Sequence, residues 1–341
     1  MTPGPIAPSP AFDTVSFPLR GAMFAGAFAL ALAWAAGPAA AGPLDAVVGV
    51  RAVIPEDAHT AEVLGTQRAG SGVVIAADGL VLTIGYLILE AIETEVLLAG
   101  ERVVPAEVVA YDYDTGFGLL RALGPLGIAP IALGRSAELG ERDEVLVAGF
   151  GSPQPVIGAV VVSRRDFAGY WEYLLPDAIF TAPPHPAFGG AALIGRDGRL
   201  LGIGSLVVGD AAEPNVHLPG NMFLPIDALE PIFEELLEHG RSRAPPRPWL
   251  GLYSEDLRGR VFVNRVAPGG PAARAGSAEH DIIVAVGGEP VRGMADFYRK
   301  LWALGPAGVA VPLTLLTAEG IKETTVESAD RYDFLKLKSS Y

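Results

Sequence analysis

The sequence predicts a mainly β protein built as two modules, and three observations carry that prediction. First, between residues 44 and 237 short apolar runs alternate with turn residues, as at 72–75, 80–83, 95–98, 145–149 and 156–162. Asp78-Gly79 and Asp197-Gly198 are turn pairs between such runs. Short strands at this spacing suit an antiparallel barrel or sandwich. Second, the 341 residues include 42 glycines and 29 prolines, spread without a repeat, which fits a turn-rich β chain better than a disordered one. Third, R-S-R-A-P-P-R-P at 241–248 reads as a stiff, solvated linker, and a new series of apolar runs begins at Trp249. The modules are placed at 44–237 and 248–326, with 238–247 as the linker and 327–341 as a tail of no clear period.

At 226–239 the spacing turns helical, with Leu229, Ile232, Phe233, Leu236 and Leu237 on one face and Gly240 as the stop. Residues 1–41 form a leader. Arg20 precedes an uncharged stretch and then Ala39-Ala40-Ala41, the pattern of an export signal, with a retained N-terminal anchor as the alternative. The expected location is therefore the periplasm, either free or anchored at the inner membrane.

A formal net charge of −14 repels nucleic acid and anionic lipid. The absence of cysteine excludes disulfides, thiolate metal sites and cysteine nucleophiles. There is no H-E-x-x-H and no close histidine pair, so no metal site and no cofactor is expected.

Three segments then carry a resemblance. G-S-G-V-V-I-A-A-D-G-L-V-L-T-I-G-Y-L-I at 70–88 is similar to the strand, D-G turn, strand and L-T-N-x-H-V-V of the HtrA/DegP-type serine proteases. D-Y-D-T-G-F-G-L-L-R at 112–121 resembles their D-x-x-T-D-L-A-L-L-K. P-A-F-G-G-A-A-L at 186–193 resembles G-N-S-G-G-P-L, and a D-G turn follows in both. Residues 130–151 fit the family pattern between these segments. The resemblance implies a trypsin-like double β-barrel followed by a PDZ domain.

It also implies that the catalytic positions are replaced. Tyr86 stands at the histidine position, Gly116 at the aspartate and Phe188 at the nucleophilic serine. Hydrolysis of this type needs an attacking hydroxyl, an imidazole base, an orienting carboxylate and two N–H donors for the oxyanion. Phe188 offers no nucleophile, a phenol with a pKa of about 10 is a poor base at neutral pH, and Gly116 has no side chain. Pro186 stands at an oxyanion-donor position and has no N–H. Among the histidines, His185 is close to this loop, but the loop holds no serine.

W-L-G-L at 249–252 resembles the Y-L-G-I/V start of HtrA PDZ domains, and 261–266, 267–276, 281–286 and 287–291 continue the series. The backbone N–H groups of Trp249, Leu250, Gly251 and Leu252 would capture a terminal carboxylate. Leu250, Leu252 and a helix at 295–301 would accept an apolar last side chain. The chain's own end at Tyr341 is a candidate occupant.

The leading expectation is a non-catalytic HtrA-like protein. It would bind unfolded or C-terminal peptide segments of envelope proteins, or a partner such as a catalytically active relative. The alternatives are an active endopeptidase degrading misfolded periplasmic proteins and a structural subunit of an envelope complex. The resemblance implies a homotrimer, although residues 42–53 lack the aromatic residue through which the family packs its trimers.

Overall fold

A computed structural model describes residues 42–337. The leader and the chain end at Tyr341 lie outside the described residues, and with them the expectations for the export signal and for docking of the C-terminus. No helix among the described residues is long and apolar enough to cross a membrane.

The first module is a pair of closed antiparallel barrels. Strands β1 (Val47–Val53), β2 (Gln67–Val74), β3 (Leu80–Ile84), β4 (Glu93–Leu97), β5 (Val103–Tyr111) and β6 (Phe117–Ala122) close in the order β1-β2-β3-β6-β5-β4. A short helix α1 (Ala61–Leu64) interrupts the β1–β2 connection. The second barrel contains β7 (Glu144–Ala148), β8 (Val156–Gly169), β9 (Tyr173–Ala182), β10 (Ala192–Ile194), β11 (Leu200–Val208) and β12 (Gly220–Pro225), ordered β10-β11-β12-β9-β8-β7. Closure removes the free sheet edges that short strands would otherwise expose. One apolar core runs from Val48, Val81 and Phe117 of the first barrel to Phe180, Ile203 and Leu224 of the second. This continuity explains why every residue of β3 is buried.

The expected helix at 226–239 is shorter than its apolar spacing suggests. Two 3-10 turns, Ile226–Ala228 and Glu230–Ile232, precede α2 (Phe233–His239). Pro231 accounts for the break, since it cannot donate a backbone hydrogen bond. Gly240 ends α2 in the left-handed conformation, its N–H bonded to Leu236 O.

The second module is a sheet of β13 (Leu252–Leu257), β14 (Arg260–Val266), β15 (Ile282–Val286), β17 (Ala310–Thr317) and β18 (Gly320–Glu327), with β16 (Glu289–Pro290) paired to β15. Helices α3 (Pro271–Arg274) and α4 (Met294–Ala303) complete it. Phe297, Tyr298 and Leu301 of α4 pack onto Leu252, Val261 and Val311 of the sheet. The tail is ordered by packing rather than by its own period. Ala329 pairs with Trp249, α5 (Arg331–Phe334) follows, and Leu335 packs beside Leu89 and Tyr111 of the first barrel.

The β8–β9 hairpin links the two modules. Its strands pair out to Gly169 opposite Tyr173, so their tip, residues 170–172, projects well beyond the barrel. That tip reaches the second module, where Leu174 joins the core formed by α4 and its sheet.

Candidate functional site: the junction of the two barrels and the loop before β13

Three loops bring Tyr86, Gly116 and Phe188 to the junction of the two barrels. Tyr86 lies on the 3-10 turn Gly85–Leu87, directly after β3. Gly116 lies just before β6, and its carbonyl accepts the Gly85 N–H at 2.8 Å. Phe188 lies in the loop before β10. The next residue, Gly189, accepts the Ser71 N–H at 2.8 Å. Backbone hydrogen bonds thus fix the three positions relative to one another.

The Tyr86 hydroxyl donates to Ser205 O at 2.9 Å, across the barrel interface. Burial pushes its pKa well above the ordinary phenol value. The hydroxyl therefore stays protonated and is committed to a backbone carbonyl. It cannot serve as a general base at neutral pH.

Gly116 has φ +89°, a backbone region that side chains rarely adopt. A Cβ there would lie 3.2 Å from the Tyr173 hydroxyl, which itself donates to Thr115 O at 2.6 Å. Position 116 is thus backbone in a glycine conformation, capped by a tyrosine. Nearby, Asp112 is engaged by the N–H and hydroxyl of Thr115 and holds the turn.

The loop at 183–190 is built from backbone constraints. Gly190 has φ +74°, and a Cβ on it would fall 1.9 Å from Ser71 O and 2.7 Å from Thr83 Oγ1. Only glycine fits there. Pro186 is exposed, and the Ala187 N–H donates to His185 Nδ1 at 3.0 Å. His185 is fully buried. Since Nδ1 accepts, the hydrogen bonds assign the proton to Nε2, 2.9 Å from Gln154 O. The His185 N–H in turn donates to Asn221 Oδ1 at 2.6 Å. Both ring nitrogens are committed to the main chain, so His185 is a clip for the loop and not a displaced catalytic base.

Arg68 supports the Tyr86 turn from below. This buried guanidinium donates to Tyr86 O, Leu89 O, Gly65 O and Thr60 Oγ1 at 2.7–3.1 Å. Burial lowers its pKa to about 10, so it remains charged at neutral pH. Arg68→Met is expected to cost about 3 kcal/mol, because buried carbonyls lose charge-assisted donors. Urea denaturation measures this, and a change below about 1 kcal/mol would contradict it.

Trp249, Leu250, Gly251 and Leu252 form the loop leading into β13, and its N–H groups already hold a carboxylate. That carboxylate is Glu172, from the tip of the β8–β9 hairpin. Leu250 N–H donates to Glu172 Oε2 at 2.9 Å and Leu252 N–H to Oε1 at 2.7 Å. Further along β13, past Tyr253, Ser254 N–H donates to Tyr170 O at 2.8 Å. Burial raises the Glu172 pKa to about 7, against the opposing effect of the N–H groups of Leu250, Leu252 and Gly251. Beside this contact runs a cleft lined by Asp112, Asp114, Arg241, Arg247, Trp302 and Arg331. There Arg247 pairs with Asp114 at 3.3 Å, while burial pushes the Asp114 carboxyl up to about 6. No group of three or more histidine, aspartate or glutamate side chains among the described residues could hold a metal ion.

Comparison with known proteins agrees with this architecture. The trypsin-like peptidase domain family matches residues 70–203 and the PDZ domain family matches residues 262–316. The serine protease PepD of Mycobacterium tuberculosis is 29% identical over 313 residues, covering 84% of this chain and 66% of its own length. The periplasmic pH-dependent serine endoprotease DegQ of Escherichia coli is 26% identical, covering 73% of this chain and 57% of its own. The chain therefore carries a trypsin-like peptidase domain followed by a PDZ domain, and is similar to HtrA/DegP-type serine proteases. It spans between about half and two thirds of the length of these curated relatives. Among solved structures, the HtrA-type protease AlgW with a decapeptide superposes with a TM-score of 0.50 at 21% identity, covering 86% of this chain and 97% of that one, a likeness of fold.

The junction of the two barrels holds the Tyr86 phenol bonded to Ser205 O, Gly116 beside the Tyr173 hydroxyl, and Phe188. The residues that organise the centre, Arg68, Tyr173 and His185, and Glu172 at the loop before β13, are ones that sequence motifs do not single out. His185 is marked only by its proximity to the loop. Glu172 lies in G-Y-W-E-Y at 169–173, which carries no local signature, and its partners are about eighty residues away.

Proposed function

We propose that this chain is a non-catalytic HtrA-like protein that binds peptide segments or a partner protein in envelope protein quality control or its regulation. The observation that carries the reading is the state of the old catalytic centre. The base position is a tyrosine hydrogen-bonded to Ser205 O, the carboxylate position is Gly116 at φ +89°, and the nucleophile position is Phe188. Losing one oxyanion donor costs ~10²–10³ in rate in serine proteases, and Pro186 removes one here. A retained double barrel without its chemistry is a scaffold for recognition, and the PDZ domain supplies a carboxylate-reading loop. A periplasmic setting is supported by relatives such as DegQ, named as a periplasmic endoprotease.

A fluorescent fluorophosphonate, which reacts with activated serine hydroxyls, tests this directly. The folded chain is expected to stay unlabelled. Labelling that disappears when the chain is heat-unfolded would reveal an activated serine elsewhere in the fold and overturn the reading.

A further inference from the structure

We propose that the PDZ groove is held closed by an internal ligand: the β8–β9 hairpin tip lies in it as a surrogate carboxyl terminus, with Glu172 as the carboxylate, and a peptide with a free C-terminal carboxylate displaces it. The proposal rests on the proposed function, in which the PDZ domain recognises peptides.

Peptides add to an exposed sheet edge by main-chain hydrogen bonds, and a terminal carboxylate is captured by a nest of N–H groups. The hairpin tip makes one contact of each kind. Tyr170 O accepts the Ser254 N–H of β13, and two residues further along the hairpin the Glu172 side chain accepts the Leu252 N–H, two residues back along β13. The tip thus runs opposite in direction to β13. The chain runs from Tyr170 toward the loop, the direction in which a C-terminal peptide would enter. Because the hairpin continues into β9 it has no α-carboxylate to offer, and a side-chain carboxylate takes that place.

The rest of the groove grips the same segment. Tyr298 of α4 donates its hydroxyl to Gly169 O at 2.8 Å and accepts the Glu172 N–H at 3.3 Å. Arg299 of α4 pairs with Asp166 of β8. Arg331 of α5 donates to Trp171 O at 2.7 Å. Leu174 packs with Leu250, Leu252 and Leu301, the residues that would line an apolar pocket for a last side chain. Glu172 itself sits at φ +55°, in the left-handed region that a glutamate rarely adopts. Such a conformation persists where surrounding contacts over-determine it, and here those contacts are the groove.

The occupant that would compete has the same chemistry: a free α-carboxylate behind an apolar side chain, leucine being the one the hairpin itself places in that cluster. Residues at the tip would be released together, since they share one set of hydrogen bonds.

The experiment compares the full chain with Glu172→Ala. A fluorescein-labelled decapeptide ending in leucine, and the same peptide with an amidated C-terminus, are titrated by fluorescence polarisation. Amide hydrogen exchange is followed at Leu250 and Leu252 without peptide. The expected result is at least tenfold faster exchange at both amides in the variant, at least tenfold tighter binding of the free-acid peptide than to the unaltered chain, and no such gain for the amidated peptide. Faster exchange with no peptide binding would keep the internal ligand and overturn the peptide-capture reading instead. Unchanged exchange, or equal peptide affinity of both chains, would overturn the internal ligand. Should Glu172→Ala not fold, Glu172→Gln keeps the shape but sets an amide NH2, which cannot accept as a carboxyl oxygen does, against one of the two loop N–H donors, and the same changes are expected with smaller factors.

Discussion

A chain carrying Tyr86→His, Gly116→Asp, Pro186→Gly and Phe188→Ser is expected to remain about 10⁴-fold or more below an intact HtrA-type protease in casein cleavage. These four changes restore every side chain the mechanism requires, yet not the backbone that must present one of them. Gly116 sits at φ +89°, and a Cβ there is 3.2 Å from the Tyr173 hydroxyl. Holding a non-glycine residue in that region costs about 1–3 kcal/mol. The turn would relax and carry the carboxylate away from the imidazole. Without the orienting carboxylate a serine protease triad loses ~10⁴ in turnover. The same four-site variant is also expected to be less stable than the natural chain, by about that strain. Turnover within tenfold of an intact relative would show that the Gly116 turn adapts freely and that the centre is degenerate only in its side chains.

Raising the pH from 5 to 8 is expected to weaken docking of the hairpin in the PDZ groove by a factor on the order of 10², and to raise apparent peptide affinity accordingly. The sign follows from Glu172, whose pKa is raised to about 7 by burial when docked. Free in water a glutamate titrates near 4.3. Between these two values the docked state binds more protons than the released state, so docking is strongest below about pH 4 and is lost progressively as pH rises to about 7. Other groups face this contact: Tyr298 from α4, Tyr253 and Arg265 from β13 and β14, and Arg331 from α5. Asp112, Asp114, Arg241, Arg247, Asp330 and His239 line the adjoining cleft. Asp114, raised to about 6 by burial, titrates in the same window and pairs with Arg247. Glu172→Gln separates the two carboxyls, since it removes the glutamate proton and leaves Asp114 in place. Peptide titrations at both pH values check the expectation. A pH slope that is equal in the natural chain and in Glu172→Gln would assign the effect to another group.

The two barrels are legible in the sequence because strand alternation and the D-G turns are local properties. Gly79 and Gly198 take the positive φ that such turns demand, and the strands on either side then pair with each other, β10 and β11 with one register shift at Leu193/Ile194. The positions of Tyr86, Gly116 and Phe188 are legible for a related reason, since fixed glycines and a turn set each loop's register. Their interactions are not. The Tyr86–Ser205 bond joins residues 119 apart, and no periodicity reports it. The helix at 226–239 shows the limit of apolar spacing, because Pro231 splits it while its apolar face stays intact. The tail has no period because its order comes from elsewhere: Lys336 pairs with Asp57 at 2.6 Å and Tyr332 donates to Tyr111 O at 2.9 Å. Least legible of all is the occupant of the PDZ loop. The W-L-G-L motif announces a carboxylate-reading loop, but only the folded length of β8 and β9 brings Glu172 to it.

The decisive measurement is cleavage of fluorescein-labelled casein by the purified chain, made beside Phe188→Ala. If the chain is non-catalytic, neither protein releases fluorescent fragments above the buffer rate at any concentration. Cleavage that rises in proportion to the natural chain, resists further purification and persists in Phe188→Ala would contradict it and place an active centre elsewhere in the molecule.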